Sequence, residues 1–179
     1  IEGVKNILTS EDILVAEFDS LSGKKFACIY ADGIVDKNMI GELVIKPLKT
    51  AGKDITAEGA KRMLASPDVK DGKDLPDADS NAVLYIDGEE DFYIIGVKLP
   101  PGRSVAEPPT QVAVKGPREG FTEDIKINLG LVRKRLKSDK LKIKTITVGK
   151  QSQTTVAICY LEGVCPEGLP EKIEKQILN

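Results

Sequence analysis

Two stretches of the chain, 130 residues apart, repeat the same order of apolar and polar positions. Lys24 to Leu48 ("KKFACIYADGIVDKNMIGELVIKPL") aligns without a gap with Thr154 to Leu178 ("TTVAICYLEGVCPEGLPEKIEKQIL"). The aligned identities are Ala27/Ala157, Tyr30/Tyr160, Gly33/Gly163 and Leu48/Leu178. The same order of apolar positions recurs at one constant offset, and this recurrence predicts an internal duplication.

Each copy is predicted to run helix, strand, strand, helix. β-favouring residues predict the strands, and the second strand of each copy is apolar at nearly every position, which is typical of a strand covered on both faces. The predicted strands are Ile13–Phe18 and Phe26–Tyr30 in the first copy, and Lys142–Val148 and Val156–Tyr160 in the second. Gly33 and Gly163 end the second strands, and an amphipathic helix follows each of them.

The first helix of the second copy has an apolar stripe. Ile125, Leu129, Val132 and Leu136 recur at spacings of 4, 3 and 4 residues, which places them on one face of a helix. Thr122 is the predicted N-cap of this helix. The basic residues of the helix are predicted to lie away from the stripe: Lys126, Arg133, Lys134 and Lys137.

The segment between the copies holds a predicted helix (Asp54 to Ser66), an acidic loop and a hairpin (Ala82 to Leu99). We therefore predict an N-terminal lobe over residues 1–75, a hairpin and linker of unassigned lobe over 76–112, and a C-terminal lobe over 113–179. The predicted fold class is α/β, with two related lobes that each hold a small mixed sheet flanked by helices.

Composition narrows the function classes. The absence of histidine excludes Ser-His-Asp and Cys-His catalysis and the usual zinc sites. An enzyme would have to use carboxylates such as Asp32 and Glu162 without a supporting nucleophile or metal set. We therefore predict no enzymatic activity, no catalytic residues, no metal and no cofactor. The chain begins with Ile1 and no signal-peptide pattern follows, so we expect it to be part of a longer protein.

Three cysteines, at positions 28, 159 and 165, have no disulfide spacing pattern and favour a reducing compartment. Cys28 and Cys159 lie in apolar runs, and we predict that both are buried core residues.

Charge is unevenly distributed. Residues 115–150 hold 11 Lys/Arg against 4 Asp/Glu, a net +7, whereas the rest of the chain carries −9. A basic surface is predicted at Arg133, Lys134, Arg135 and Lys137. It is either a solvated helix face, a contact for an anionic membrane surface, or a nucleic-acid site. Aromatic residues make up only 4% of the chain and none interrupts the basic run, so nucleic acid is not the expected partner.

Two sets of polar residues follow the predicted inner strands, Tyr30 with Asp32 and Tyr160 with Glu162. Ligands of open α/β sheets tend to bind beyond the carboxyl ends of strands. If the two lobes face each other, these carboxylates line the crevice and hold an amine. The alternative is that Asp32 and Glu162 cap the helices that follow.

The stretch "GPREGFTED" precedes the helix that begins near Thr122. A Gly-rich turn at a helix start has the form of an anion site, and Arg118 offers a forked donor for a carboxylate or phosphate. However, Glu123 and Asp124 would repel an anion there. We therefore predict an inter-lobe hinge, made of Gly116, Pro117, Arg118, Glu119 and Gly120. In this hinge Arg118 fixes the lobes together, with ligand contact by Arg118 as the alternative.

Several ordered motifs resemble the A-subunit family of spore nutrient-germinant receptors, the GerA type. They are "GPREGFTE", the N-L-x-L-x-R-x-R pattern from Asn128 to Arg135, the segment from Val148 to Tyr160, and the weaker "YADGIVDK" from Tyr30 to Lys37. Departures such as Lys115, Gln151, Gln153 and Cys165 leave the pattern intact.

The resemblance implies a domain that precedes a membrane-spanning portion not included in this chain. It places the whole protein in the inner membrane of the spore, with this domain on the cytoplasmic side. It implies B and C subunits, other A subunits and a small nutrient as partners, and a role in germinant sensing and signal coupling. The alternative function is a basic module that binds an anionic membrane surface or nucleic acid.

Overall fold

The computed structural model of the chain describes residues 9–66, 68–72, 81–97, 120–138 and 140–179. The strands are β1 (Ile13–Asp19), β2 (Lys25–Ala31), β3 (Val69–Gly72), β4 (Asn81–Ile86), β5 (Phe92–Gly96), β6 (Leu141–Val148) and β7 (Thr154–Leu161). Helix α1 is α-helical over Lys37–Ile40 and Lys46–Leu48 and π-helical over the intervening Gly41–Ile45. The other helices are α2 (Ala57–Met63), α3 (Ile125–Arg135) and α4 (Leu169–Leu178).

The described strands form two sheets. One has five strands in the order β1-β2-β4-β5-β3, the other consists of β6 and β7, and every pairing is antiparallel. The predicted α/β class is confirmed, but the sheets are antiparallel rather than mixed. Short turns join β1 to β2, β4 to β5 and β6 to β7, and such turns return the chain antiparallel to itself.

We call the five-stranded sheet with α1 and α2 the N-terminal unit. The hairpin of unassigned lobe belongs to this unit, because β4 pairs with β2 between Phe26↔Ile86 and Ile29↔Val83. The main core lies between this sheet and α1 and α2. Its most buried large side chains include Phe26, Leu48, Leu84 and Ile95. A second, smaller core consists of Leu129, Leu141 and Ile143 between α3 and the β6–β7 sheet. The other predicted domain limits stay predictions.

Pro47 interrupts the backbone hydrogen bonds of α1 next to its π-helical turn. Pro47 has no N–H, so the carbonyl of Leu43 loses the donor that a regular α-helix would give it. The backbone N–H of Ala65 donates to this carbonyl over 3.1 Å, while the N–H of Lys46 donates to Gly41 in the wider turn. The segment after α2 thus satisfies a carbonyl that Pro47 leaves without a partner.

The two hairpins lie where the repeat predicts them, with β1–β2 matching β6–β7 at an offset of 130 residues. Gly33 and Gly163 follow the second strands with φ of 86° and 79°, a region that strongly favours glycine, and a helix comes after each. The sheets differ, since β2 pairs with β4 on its second side. A duplication therefore stays a prediction.

The burial predictions for Cys28 and Cys159 have different outcomes. Cys28 is fully buried in the main core, as expected, but Cys159 is exposed, so that prediction is wrong. The apolar run around Cys159 indicated burial on both faces. In the described sheet β7 pairs only with β6, and a strand at the edge of a small sheet is covered less completely than β2.

We expect Cys28 to resist thiol reagents in the native protein at pH 8. Burial raises the pKa of its thiol to about 12, and the thiolate is the reactive form. In a Cys159→Ser/Cys165→Ser variant, labelling by a disulfide reagent should occur only at the rate of unfolding. Rapid labelling under native conditions, with circular dichroism unchanged, would contradict the buried position of Cys28.

Candidate functional site

A buried arginine joins the two sheets. The side chain of Arg133, on α3, is 4% exposed and pairs with Asp12, which directly precedes β1 and is equally buried. The Nε of Arg133 donates to Oδ2 of Asp12, and its Nη2 donates to Oδ1 of Asp12 over 2.6 Å and to Ser10 Oγ over 2.9 Å. The same Nη2 lies 3.3 Å from the carbonyl oxygen of Leu141. We call Ser10, Asp12 and Arg133 the junction cluster.

The segment that carries Ser10 and Asp12 also lies along β6. The backbone N–H of Ile143 donates to Ser10 Oγ over 2.8 Å, and the N–H of Glu11 donates to the carbonyl of Ile143 over 3.0 Å. The carboxylate of Glu11 accepts from the N–H and the hydroxyl of Thr145, each over 2.6 Å. Ser10 and Glu11 therefore bond to the second sheet immediately before the chain enters the first.

Arg133 corrects the predicted basic surface. The sequence pattern placed it with Lys134, Arg135 and Lys137, and those three residues are exposed, but Arg133 is not. A single apolar stripe predicts one buried helix face. Helix α3 has a second buried face, which contacts the N-terminal unit through small and charged residues that hydrophobic periodicity does not detect.

That second face includes a close approach between two glycines. A Cβ on Gly130 of α3 would lie 2.7 Å from the carbonyl oxygen of Gly33, and a Cβ on Gly33 would lie 2.2 Å from the carbonyl oxygen of Lys126. Both distances are far below ordinary contact. The backbone of α3 therefore sits directly on the turn that follows β2, and only glycine fits at either position.

Asp32 binds both units at this turn. One carboxylate oxygen lies 2.9 Å from Nζ of Lys37, on α1, and the other lies 3.2 Å from Nζ of Lys126, on α3. Partial burial acts to raise the pKa of Asp32, but the hydrogen bonds and charges of Lys37 and Lys126 outweigh it and hold this pKa below its usual value. Asp32 is therefore an anion shared between the N-terminal unit and α3.

The other described residues of the predicted ligand site belong to both sheets. Tyr30 is half-buried on β2 beside Asp32. Tyr160 and Glu162 belong to the other sheet, where the mostly exposed carboxylate of Glu162 lies 3.5 Å from Nζ of Lys142. The structure thus gives each carboxylate a lysine partner, and whether these four residues share a ligand stays a prediction.

The helix-capping alternative for these carboxylates is wrong. Asp36, not Asp32, caps α1 by accepting from the N–H of Asn38 and of Met39 over 2.9 and 3.3 Å. Helix α4 begins after Gly168, which has φ of 74° and provides no side-chain cap.

The N-cap of α3 is Asp124 rather than Thr122. The carboxylate of Asp124 accepts from the N–H of Lys126 over 2.8 Å. Thr122 instead pairs with the Asn128 side chain, whose amide group donates to the Thr122 carbonyl and accepts from its N–H, each over 2.7 Å. The Thr122 hydroxyl accepts from the N–H of Asp124 over 3.2 Å, and Asp124 precedes the first helical residue, so the hydroxyl is not the cap of α3. Of the predicted hinge, Gly116, Pro117, Arg118 and Glu119 lie outside the described residues.

Sequence reasoning missed Ser10 and Asp12 as partners and assigned the inter-lobe contact to Arg118. The family motif could have indicated that Arg133 has a specific partner, because Asn128 and Arg133 both belong to the N-L-x-L-x-R-x-R pattern.

In the described part of the chain, no three His, Cys, Asp or Glu side chains group so as to hold a metal ion. Of the helices the structure describes, none is long and apolar enough to span a membrane.

Comparison with known proteins assigns the chain to a family. The sequence profile of the Bacillus/Clostridium GerA spore germination protein matches residues 3–179. The chain belongs to the GerA family. The resemblance seen in the motifs is thereby confirmed.

The curated relatives of the chain are longer proteins. Spore germination protein KA of Bacillus subtilis (strain 168) is 28% identical over 98% of the chain, and Stage V sporulation protein AF of the same organism is 30% identical over 96%. The chain spans 34% and 36% of their lengths.

A solved structure shares the fold. It is the crystal structure of the N-terminal domain of the A subunit of the Bacillus megaterium spore germinant receptor GerK3. The TM-score is 0.72 at 21% identity, over 99% of this chain and 69% of that one.

We expect Arg133→Met to lower the free energy of unfolding by about 3–5 kcal/mol, because it leaves the buried Asp12 carboxylate with the Ser10 hydroxyl but without its cationic partner. Arg135→Met is the matched control, two residues along the same helix but exposed, and should cost roughly 0.5 kcal/mol or less. Urea unfolding measures both. A double variant, Asp12→Leu/Arg133→Met, should recover much of the loss. Equal costs for the two single variants would show that the junction cluster does not stabilise the fold.

Gly33→Ala and Gly163→Ala separate backbone strain from contact with α3. Both glycines have a left-handed φ, so each substitution costs about 1–2 kcal/mol of strain. Only at Gly33 does the new Cβ meet a neighbour, whereas Gly163 has open space around it. We expect Gly33→Ala to cost at least about 1 kcal/mol more. Chemical denaturation gives the difference, and equal destabilisation would contradict the close packing of α3 on the turn.

Proposed function

We propose that this chain is the N-terminal sensing and coupling domain of a spore nutrient-germinant receptor A subunit. Its membership of the GerA family and its structural likeness to the N-terminal domain of the GerK3 A subunit support a role in spore germination. The observation that carries the coupling role is the position of α3. This helix contributes Leu129 to the core of the second sheet and Arg133 to the junction cluster.

In the proposed mechanism, Asp32 is the point at which a ligand acts on α3. Its carboxylate is shared between Lys37 and Lys126, so an incoming ammonium group competes with Lys126 for the same oxygens. Loss of the Lys126 contact weakens the hold of the N-terminal unit on the first turn of α3. Because the glycine contact and the junction cluster lie further along the helix, a shift of α3 moves the second sheet relative to the first.

The proposed ligand is a small nutrient, an amino acid or a sugar, held between the two units. Tyr30 and Asp32 contact it from one sheet, and Tyr160 and Glu162 contact it from the other. Arg118 is the proposed partner for a carboxylate of the ligand, since a guanidinium binds a carboxylate through two parallel hydrogen bonds. An amino acid then has a partner for each of its charged groups.

The remaining parts of the proposal concern the longer protein. A membrane-spanning portion places it in the inner membrane of the spore, together with B and C subunits and other A subunits. The domain described by the structure lies on the cytoplasmic side. All three cysteines are unpaired, and this is consistent with the reducing conditions of that side.

A ¹⁵N NMR titration of the chain with amino acids and sugars tests direct binding. An amine-containing ligand should shift the amide signals of Asp32, Gly33 and Lys126. Asp32→Asn should weaken binding about tenfold or more, because it removes a charge-assisted hydrogen bond. Asp71→Asn is the control. The Asp71 carboxylate also pairs with a lysine, Lys61 at 2.7 Å, but within the N-terminal unit, so affinity should not change.

Absence of any shift at these amides with every nutrient would show that the domain does not bind the germinant. The coupling role has a separate test in spores that carry the full-length protein. Lys126→Met should change the nutrient concentration needed for germination, whereas Lys61→Met should not, with receptor amounts matched by immunoblot. An unchanged response in the Lys126→Met spores would overturn coupling through α3.

A further inference from the structure

The outer edge of β7 presents backbone groups that point away from the sheet. In the part of the chain that the structure describes, the strand partner of β7 is β6, with Cys159 opposite Ile143. The N–H and the carbonyl of Ile143 bond to Ser10 and Glu11, on the side of β6 that faces away from β7. Ile143 and Cys159 are therefore a non-hydrogen-bonded pair, and the N–H and carbonyl of Cys159 point away from β6.

The backbone groups of Thr155 and Ala157 point outward in the same way, because this orientation alternates along an antiparallel strand. Among the described residues, none bonds to the outward N–H or carbonyl of Thr155, Ala157 or Cys159. The carbonyl of Leu161 accepts from the turn that follows β7, which closes that end of the edge. The side chains of Thr155 and Cys159 are exposed. The edge thus offers three alternate residues to a further strand.

The other outer strands carry features that discourage pairing with another chain, whereas β7 does not. Natural sheet edges are protected by short strands and by charged side chains. Strand β3 has four residues, two of them charged, and β1 contains Glu17 and Asp19. Ser10 and Glu11 cover the outer side of β6. Strand β7 has eight residues, and none of them is charged or a proline. An uncharged edge of this length is a surface for strand addition.

We propose that β7 pairs antiparallel with β7 of a second copy of the chain, around a two-fold axis at Ala157. In this register Thr155 faces Cys159 of the second copy, and the two Ala157 residues face each other. Each of these facing pairs exchanges two backbone hydrogen bonds, so the register uses every outward group of the three residues. The two small sheets then form one continuous sheet of four strands.

The side chains of β7 suit pairing with themselves. Between the hydrogen-bonded pairs, Val156 faces Ile158 of the second copy and Thr154 faces Tyr160. These are pairs of β-branched residues, or of a β-branched with an aromatic residue, which stabilise antiparallel sheets. No two like charges face each other, because the strand has no charged residue. The inference goes beyond the proposed function, since the pairing requires neither a nutrient nor coupling through α3.

Sedimentation equilibrium of the 179-residue chain tests the proposal, and a concentration-dependent equilibrium of monomer and dimer is expected. Thr155→Lys/Cys159→Lys places two pairs of like charges across the axis and should raise the dissociation constant about tenfold or more. Thr155→Glu/Cys159→Glu should do the same. An equimolar mixture of the two variants should dimerise again, because each lysine then faces a glutamate.

The matched control is Asn38→Lys/Thr50→Lys, which makes the same change in net charge as the lysine variant at exposed positions of the N-terminal unit. It should change the dissociation constant by less than about threefold, as a surface substitution away from a contact does. Circular dichroism and urea unfolding verify that all variants are folded.

Disulfide formation tests the register. Thr154→Cys and Tyr160→Cys are made separately, each in the Cys159→Ser/Cys165→Ser background. Facing residues of a non-hydrogen-bonded pair have Cα atoms about 4.5 Å apart, which a disulfide can span. Mild oxidation of the two proteins together should give a linked dimer. A mixture of Tyr160→Cys with Thr147→Cys, an exposed position on β6, should not.

The proposal is overturned by any of three results. A chain that sediments as a monomer at every concentration does not pair with itself, and the edge is then left to a strand of a different protein. Association that persists in the lysine variant and in the glutamate variant lies elsewhere on the surface. Equal disulfide yields with Thr154→Cys and with Thr147→Cys contradict the register.

Discussion

The ion pair between Arg133 and Asp12 is the interaction on which the arrangement of the two sheets depends. Both side chains are almost completely buried, and a buried charge is tolerated only when its partner and its hydrogen bonds are in place. Ser10 and the carbonyl of Leu141 provide the additional hydrogen bonds. Since the residues come from the start of β1, from α3 and from β6, the pair can form only when both units are folded and correctly placed.

Two further contacts act on the same helix face and reinforce this requirement. The glycine pair, Gly33 and Gly130, lets the helix backbone touch the turn after β2, and Asp32 reaches Lys126 from that turn. These contacts are polar or consist of backbone atoms, and the two hydrophobic cores are separate clusters. Geometry and charge pairing are therefore prominent in the interface between the units. Such an interface can be altered by a charged ligand without disrupting either hydrophobic core, and this property suits the proposed coupling role.

Much of the fold follows from local sequence pattern. The runs of β-favouring residues predicted the paired strands, and the stripe from Ile125 to Leu136 predicted α3, because each pattern is local to one element. Of the stripe residues, Leu136 is exposed, just after the last residue of the helix. The same reasoning failed at Cys159, Arg133 and Thr122. In each case the burial or partner of a residue is set by an element distant in sequence. The ordered GerA motifs indicated the family. Two residues of these motifs, Asn128 and Arg133, have specific partners in the structure that the motifs do not predict.

The sequence by itself determined the α/β class, the positions of the paired strands and the family, since each depends on residues close together in the chain or on an ordered pattern. Tertiary structure alone decided that the 81–97 hairpin extends the first sheet, that Arg133 is buried against Asp12, and that Asp32 pairs with Lys126. These contacts join residues up to 121 positions apart. A single charged residue on a helix has the same sequence signature whether it faces solvent or a carboxylate on another sheet, so only the folded chain distinguishes the two.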